Sequence, residues 1–199
     1  HFDLIMEKVE WSDSVLIGPG LGREKSTQNL IKMLVDNINK PLILDADGLY
    51  PFSGKLFNLN NRKFPLIITP HFGELSKLIG HEKDLIVLEF PEILTELSQN
   101  FDHVTLLKQI PNCTINSKKG VINITGNQGL ATAGTGDVLS GLVSGLIAQG
   151  CDPFKGACLG SFIHGKASDI LVHIKGYRGQ IASDLLEIIP EVISTYENP

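Results

Sequence analysis

No run of lysine and arginine appears in this sequence, and the formal net charge is −5, which argues against a nucleic-acid-coating surface. An acidic protein still binds an anion locally, because backbone amides build such sites whatever the net charge. Cysteine is scarce. Cys113, Cys151 and Cys158 form an odd, widely spaced set with no C-x-x-C and no histidine partner at metal spacing. That leaves no metal site and points to a reduced, cytoplasmic setting. No apolar stretch is long and uninterrupted enough to span a membrane, and no signal peptide is visible. The G-x-x-x-x-G-K-[ST] pattern of P-loop proteins is also missing.

What remains fits one soluble globular domain of 199 residues, with 42% hydrophobic and 20% charged residues. Short apolar runs at Val15–Ile17, in "PLILDADGL", at Leu66–Thr69 and at Val104–Lys108 read as buried strands. Helical spacing covers Lys25–Ile38, Phe72–Ile79 and Glu92–Asn100. This alternation predicts an α/β fold with a mostly parallel central sheet. "CTINSKKGVINIT" alternates instead, with Lys119-Gly120 at a hairpin turn. Three helices follow, near Asp137–Gln149, Pro153–Lys175 and from a Ser183 cap to Tyr196, the last carrying Pro190. The chain opens at His1 without Met and runs quickly into a strand-like pattern. The expectation is one domain, 1–199, lacking its N-terminal part.

The chemistry concentrates in "NQGLATAGTGDVLSGLVSGLIAQG", Asn127 to Gly150. In "TAGTGD", Gly134 and Gly136 are expected to turn the backbone at positive φ and let a ligand approach the main chain. The helix that begins there aims free N–H groups and its positive dipole end at the loop, which suits a phosphate. Asp137 in the first turn also has a structural explanation, since an acid there stabilises a helix by roughly 0.3–1 kcal/mol. Beside a bound phosphate, its chemical task is to take the proton of an attacking hydroxyl. Gly141 and Gly145, four apart on that helix, predict a face packed closely against a neighbour.

Other motifs carry two readings each. "GPGLG" fails as a dinucleotide fingerprint, because Arg23 stands where G-x-G-x-x-G needs glycine; a plain strand-to-helix turn is the alternative. Asp45 and Asp47 end a strand on the edge where open α/β sheets bind ligands, as support for metal or substrate or as caps of the next turn. Thr69-Pro70 reads as a helix cap and N1 proline, with His71 and Glu74 in the first turns. Lys108 alone reads as a solvated strand end, and His164 in "FIHG" as a packing residue or a contact to a neighbouring subunit.

Taken together, that glycine-rich stretch with "IGPGLGR", "LILDADGL", "ITPHFGELSKL", "FIHGKASDI" and "GYRGQIASDLLEIIP" closely resembles the ADP/ATP-dependent NAD(P)H-hydrate dehydratases of the ribokinase-like superfamily. The resemblance covers nearly the whole chain in order. It implies a three-layer α/β/α fold and a metabolite-repair reaction. The S epimer of hydrated NADH or NADPH (NADHX, NADPHX) is dehydrated with ATP or ADP as phosphoryl donor and Mg2+ bridging the phosphates. It places Asp137 on the substrate hydroxyl and Gly22 and His71 on the hydrated nicotinamide nucleotide. Gly134, Thr135 and Gly136 fall to the nucleotide, with Gly20, Glu74 and Asn127 in support.

The family's Lys-Gly-x-x-Thr nucleotide segment corresponds to Lys108, Gln109, Ile110, Pro111 and Asn112, with Gln109 replacing glycine and Thr114 displaced. A homo-oligomer, and an epimerase fused upstream or separate, are implied as partners. Two rivals stay open: a small-molecule kinase of the same superfamily, acting on a vitamin precursor or sugar, and a nucleotide-binding sensor without turnover.

Overall fold

The structure is a computed structural model that describes residues 1–197. Six strands form one sheet in the order β1-β2-β3-β4-β5-β6. They are β1 (Val15–Ile17), β2 (Leu42–Leu44), β3 (Leu66–Ile68), β4 (Val104–Leu107), β5 (Asn112–Ile115) and β6 (Gly120–Asn123). The first four run parallel, and β5 and β6 add antiparallel pairings. This matches the expected mostly parallel sheet. The hairpin turn is centred on Ser117-Lys118, two residues earlier than expected. Asn116 Oδ1 accepts from the N–H groups of Lys118 and Lys119, and Gly120 already belongs to β6.

Side-chain alternation along the strands divides the core. Leu42, Leu44, Leu66 and Ile68 face one layer, which contains α1 (Phe2–Trp11), α2 (Lys25–Asn37), α3 (Phe72–Ile79), α4 (Lys83–Leu88) and α5 (Phe90–Asn100). Ile43, Ile67, Val104 and Leu106 face the other, built by α6 (Thr135–Ala148) and α7 (Pro153–Lys175). On the far side of that layer lies α8 (Ala182–Glu197). Strands buried on both faces read as continuous apolar runs, which is why they were legible in the sequence.

Four local readings need correction. Residues before β1 form a helix, not a strand-like entry; Phe2, Ile5, Met6 and Val9 share the helical spacing and pack on the core. The cap of α3 is His71 rather than Thr69, which is buried at the strand end. Ser183 lies inside α8, whose first turn is closed by Asp184 accepting from the N–H of Ile181 at 3.0 Å. Gly141 and Gly145 are exposed, and a Cβ on either would meet nothing within 4 Å. Close packing of α6 on α7 uses Gly160 instead, where a Cβ would lie 2.7 Å from the Val143 side chain.

Candidate active site

All four parallel strands deliver their C-terminal ends to one edge, the edge at which open α/β sheets form ligand crevices. β1 leads into Gly18, whose φ of +143° is open to glycine and where an added Cβ would collide with the Asp45 carbonyl. β2 leads into Asp45, β3 into Thr69-Pro70-His71 and β4 into Lys108. Opposite them, Gly134 (φ +87°) turns the chain into α6. Gly136 is already helical, so its expected positive φ is corrected; what it contributes is space.

At the start of α6 the Thr135 N–H is taken by the Thr132 carbonyl at 3.3 Å, and the Val138 N–H by Gly134 at 3.2 Å. The N–H groups of Gly136 and Asp137 make no hydrogen bond among the described residues. Thr135 holds the turn rigid from beneath, its Oγ1 reaching the carbonyls of Leu130 at 2.7 Å and Thr132 at 2.8 Å. Two free amides at the positive end of a fixed helix make an anion site. The Asp137 carboxylate is exposed and has no hydrogen bond or ion pair among the described residues. Its place in the first turn still favours the helix dipole, and its oxygens are left available.

Lys108 is not a solvated strand end. Its side chain is 17% exposed, and its Nζ donates to Asp45 Oδ1 at 2.5 Å, while Asp45 itself is 0% exposed. Asp45 Oδ1 also accepts from the Ala46 N–H at 2.8 Å, which fixes the carboxylate. A Cβ on Gly136 would sit 3.3 Å from the Lys108 ammonium. The lysine is therefore held against the positive end of α6, an unfavourable place for a cation unless an anion joins it. Gly136→Ala tests this directly. The variant is expected to keep or gain stability, by about 1 kcal/mol at most, while nucleotide affinity falls because the ammonium must move; paired denaturation and binding titrations check both arms.

In front of these groups lies a cavity of about 670 Å3, within the range of small-molecule sites. Of the residues expected to meet the nucleotide, Lys108, Gln109, Ile110, Asn112, Thr135 and Gly136 line it, and so does His71. Asn112 shapes the wall: its Oδ1 accepts from the Gln109 N–H at 3.0 Å, and its Nδ2 donates to Ser161 Oγ at 3.0 Å. Asn112 therefore lies behind the Lys108–Pro111 loop, as its support. His71 and Glu74 form a capping box, with His71 Nδ1 accepting from the Glu74 N–H and Glu74 Oε2 accepting from the His71 N–H. The neutral ring then carries its proton on Nε2.

Other nominated residues serve the surrounding loops. Asp47 Oδ2 accepts from the Gly22 N–H at 3.0 Å and Oδ1 from Arg23 Nε at 2.7 Å, closing the "GPGLG" loop, where Gly20 and Gly22 are exposed at positive φ. Asn127 Oδ1 accepts from the Gly129 N–H, and its Nδ2 donates to Asp169. Pro111 and Gly134 flank the cavity in sequence without lining it, and Asp137 is likewise outside its lining.

Sequence reasoning did not nominate Gln128, Leu130, Ala131, Thr132, Ala133, Leu139 or His164 for this cavity. The first six share the quoted glycine-rich stretch, so that run carried the signal. His164 is buried by packing, as one of its two readings had it. Its Nε2 donates to the Thr135 carbonyl at 2.9 Å, and burial pushes its pKa down from 6.5 to about 4. The folded ring stays neutral where the unfolded one takes a proton. His164 thus contributes stability that is complete above pH 6.5 and lost as pH falls toward about 4, roughly 3 kcal/mol in all. Equilibrium denaturation across that window should show the decline, and His164→Gln should flatten it.

With this geometry in place, a family model described as NAD(P)H-hydrate dehydratase matches residues 2–191. The bifunctional NAD(P)H-hydrate repair enzyme Nnr of Moorella thermoacetica is 37% identical over 196 residues, covering 98% of this chain and 37% of that protein. Its counterpart in Escherichia coli is 34% identical over 96% of this chain and 36% of its own length. The chain thus spans a little over a third of these curated relatives. Among solved structures, the ADP/ATP-dependent NAD(P)H-hydrate dehydratase of Bacillus subtilis, co-crystallised with ATP and Mg2+, is 27% identical with a TM-score of 0.80, over 95% of this chain and 69% of that one. A hydroxyethylthiazole kinase from Pyrococcus horikoshii, 17% identical with a TM-score of 0.77 over 98% of this chain and 79% of that one, shares the fold. The fold is ribokinase-like, and the chain belongs to the NAD(P)H-hydrate dehydratase family.

Proposed function

We propose that this chain is the dehydratase portion of a nicotinamide-nucleotide repair enzyme, using ATP or ADP to return hydrated NADH or NADPH to the reduced dinucleotide. The observation that carries this reading is the pair of amides at Gly136 and Asp137 and the Asp137 carboxylate, all without a partner among the described residues, where Gly136 lines a cavity of about 670 Å3. Amides and Lys108 hold the terminal phosphoryl group by charge-assisted hydrogen bonds. Asp137 takes the proton of the ring hydroxyl as its oxygen attacks phosphorus, and the nucleotide leaves with the P–O bonding pair. The ring oxygen then departs as phosphate with its C–O pair while the adjacent ring carbon gives up a proton, restoring the double bond. Gly22 and His71 are assigned to the hydrated substrate, with Gly20 in support and Glu74 fixing the His71 backbone and ring.

Bound Mg2+ would offset the negative charge of the nucleotide phosphates during transfer. No group of three His, Cys, Asp or Glu among the described residues forms a cage for it. The carboxylate oxygen that would be available to such an ion is Asp45 Oδ2, buried without a partner among the described residues.

A homo-oligomer is supported by exposed apolar side chains around the β6 edge, Ile122 at 63% and Ile124 at 89%. A linked second activity is supported by the bifunctional description of the relatives and the third of their length that this chain spans. Supplying the full-length protein with hydrated NADH and ATP or ADP should restore reduced-nicotinamide absorbance with release of one phosphate per turnover. Transfer of phosphate to a vitamin-like alcohol, with the hydrated dinucleotide untouched, would instead favour the kinase.

A further inference from the structure

A second cavity, of about 610 Å3, lies at the N-terminal ends of β2 and β3, between the C-terminal turn of α2 and the segment leading into β3. The proposed chemistry uses none of its residues. Its lining carries four cations, Lys32, Lys55, Arg62 and Lys63, against the single carboxylate of Asp36. That balance opposes the −5 of the chain as a whole. No carboxylate lies within 4.0 Å of any of the four among the described residues.

Arg62 shows that this is more than a solvated lysine face. Its Nη1 and Nη2 donate to the backbone carbonyls of Val35 at 2.6 Å and Lys40 at 2.7 Å, and its Nε is buried with no partner. The carbonyls fix the guanidinium in place but leave its charge uncompensated. Burial lowers its pKa to about 10, against a smaller opposing pull from Asp36. Holding a half-buried cation without a counter-ion is unfavourable, and an anion in the cavity offsets that cost. The remaining wall is mixed: Pro51, Phe52, Leu59 and Phe64 give it an apolar part, and Asn37, Asn58 and Asn61 a polar one.

We propose that this cavity is a second ligand site, for a phosphorylated small molecule whose other part is apolar or planar. The phosphate meets Arg62 and the lysines, and the apolar part lies against Phe52 and Phe64. Pro51 and Phe52, in the turn Tyr50–Phe52, form the side of this cavity contributed by the segment after β2.

Calorimetric titration of the full chain with phenyl phosphate and with inorganic phosphate tests this. The exposed pair Lys55→Glu/Lys63→Glu, which touches neither the core nor the first site, should weaken phenyl phosphate binding at least about tenfold. Gly136→Ala, which alters only the first site, should leave that event in place, and inorganic phosphate should bind more weakly than phenyl phosphate. Unchanged phenyl phosphate binding in the double variant, its loss in Gly136→Ala, or equal affinities for the two phosphates would each overturn the proposal.

Discussion

Asp137→Asn is expected to lower dehydratase turnover by roughly 10²–10⁴-fold, the usual contribution of a positioned general base, while nucleotide affinity changes little. The amide keeps the shape of the side chain and the free N–H groups of the turn, so the phosphoryl site persists. Its folding consequence is small, because the carboxylate makes no internal bond and loses only its helix-dipole interaction, about 0.3–1 kcal/mol. Turnover measured beside nucleotide titration separates the readings: a sensor loses nothing on this substitution, and a structural cap loses stability instead of rate.

Asp45→Asn has the largest expected effect on stability. Asp45 is fully buried, and among the described residues it is the one carboxylate paired with Lys108, whose side chain is 17% exposed. Removing one partner of a buried pair leaves the other uncompensated, a loss of about 3–5 kcal/mol. Asparagine can still accept from the Ala46 N–H, so the turn after β2 survives and the loss reads out the charge pair. The lysine is then repelled by the positive end of α6 with nothing to hold it. Bound ADP should therefore raise the melting temperature of the variant more than that of the parent chain, because the nucleotide supplies the missing negative charge. Thermal unfolding with and without ADP measures both effects; equal stability of variant and parent would mean that the pair contributes nothing.

The strands were legible because their apolar runs, such as "LIL" and "LII", are buried on both faces. Helices with clean spacing, α2 and α3, were legible for the same kind of reason. The glycine loop was legible because little else requires Gly-Thr-Gly-Asp in front of an apolar helix. Pairings across space were not. Nothing in "LILDADGL" says that Asp45 will meet Lys108, a residue 63 positions away. Glycine spacing misled for a related reason: Gly141 and Gly145 do share a face of α6, but which face meets α7 is decided by Val143 fitting over Gly160. A capping box on His71 was hidden because histidine is an uncommon cap and Thr69 a common one. The family resemblance supplied roles that spacing could not, and the cavity places His71, Lys108 and Gly136 around one space.

The most direct measurement is a crystal structure of the full-length protein with Mg2+ and a non-hydrolysable ATP analogue. The terminal phosphate is predicted within about 3 Å of the N–H groups of Gly136 and Asp137 and of Lys108 Nζ, with the Asp137 carboxylate turned toward open space for an alcohol. A terminal phosphate bound away from the start of α6, or an Asp137 carboxylate turned away from it, would contradict the account.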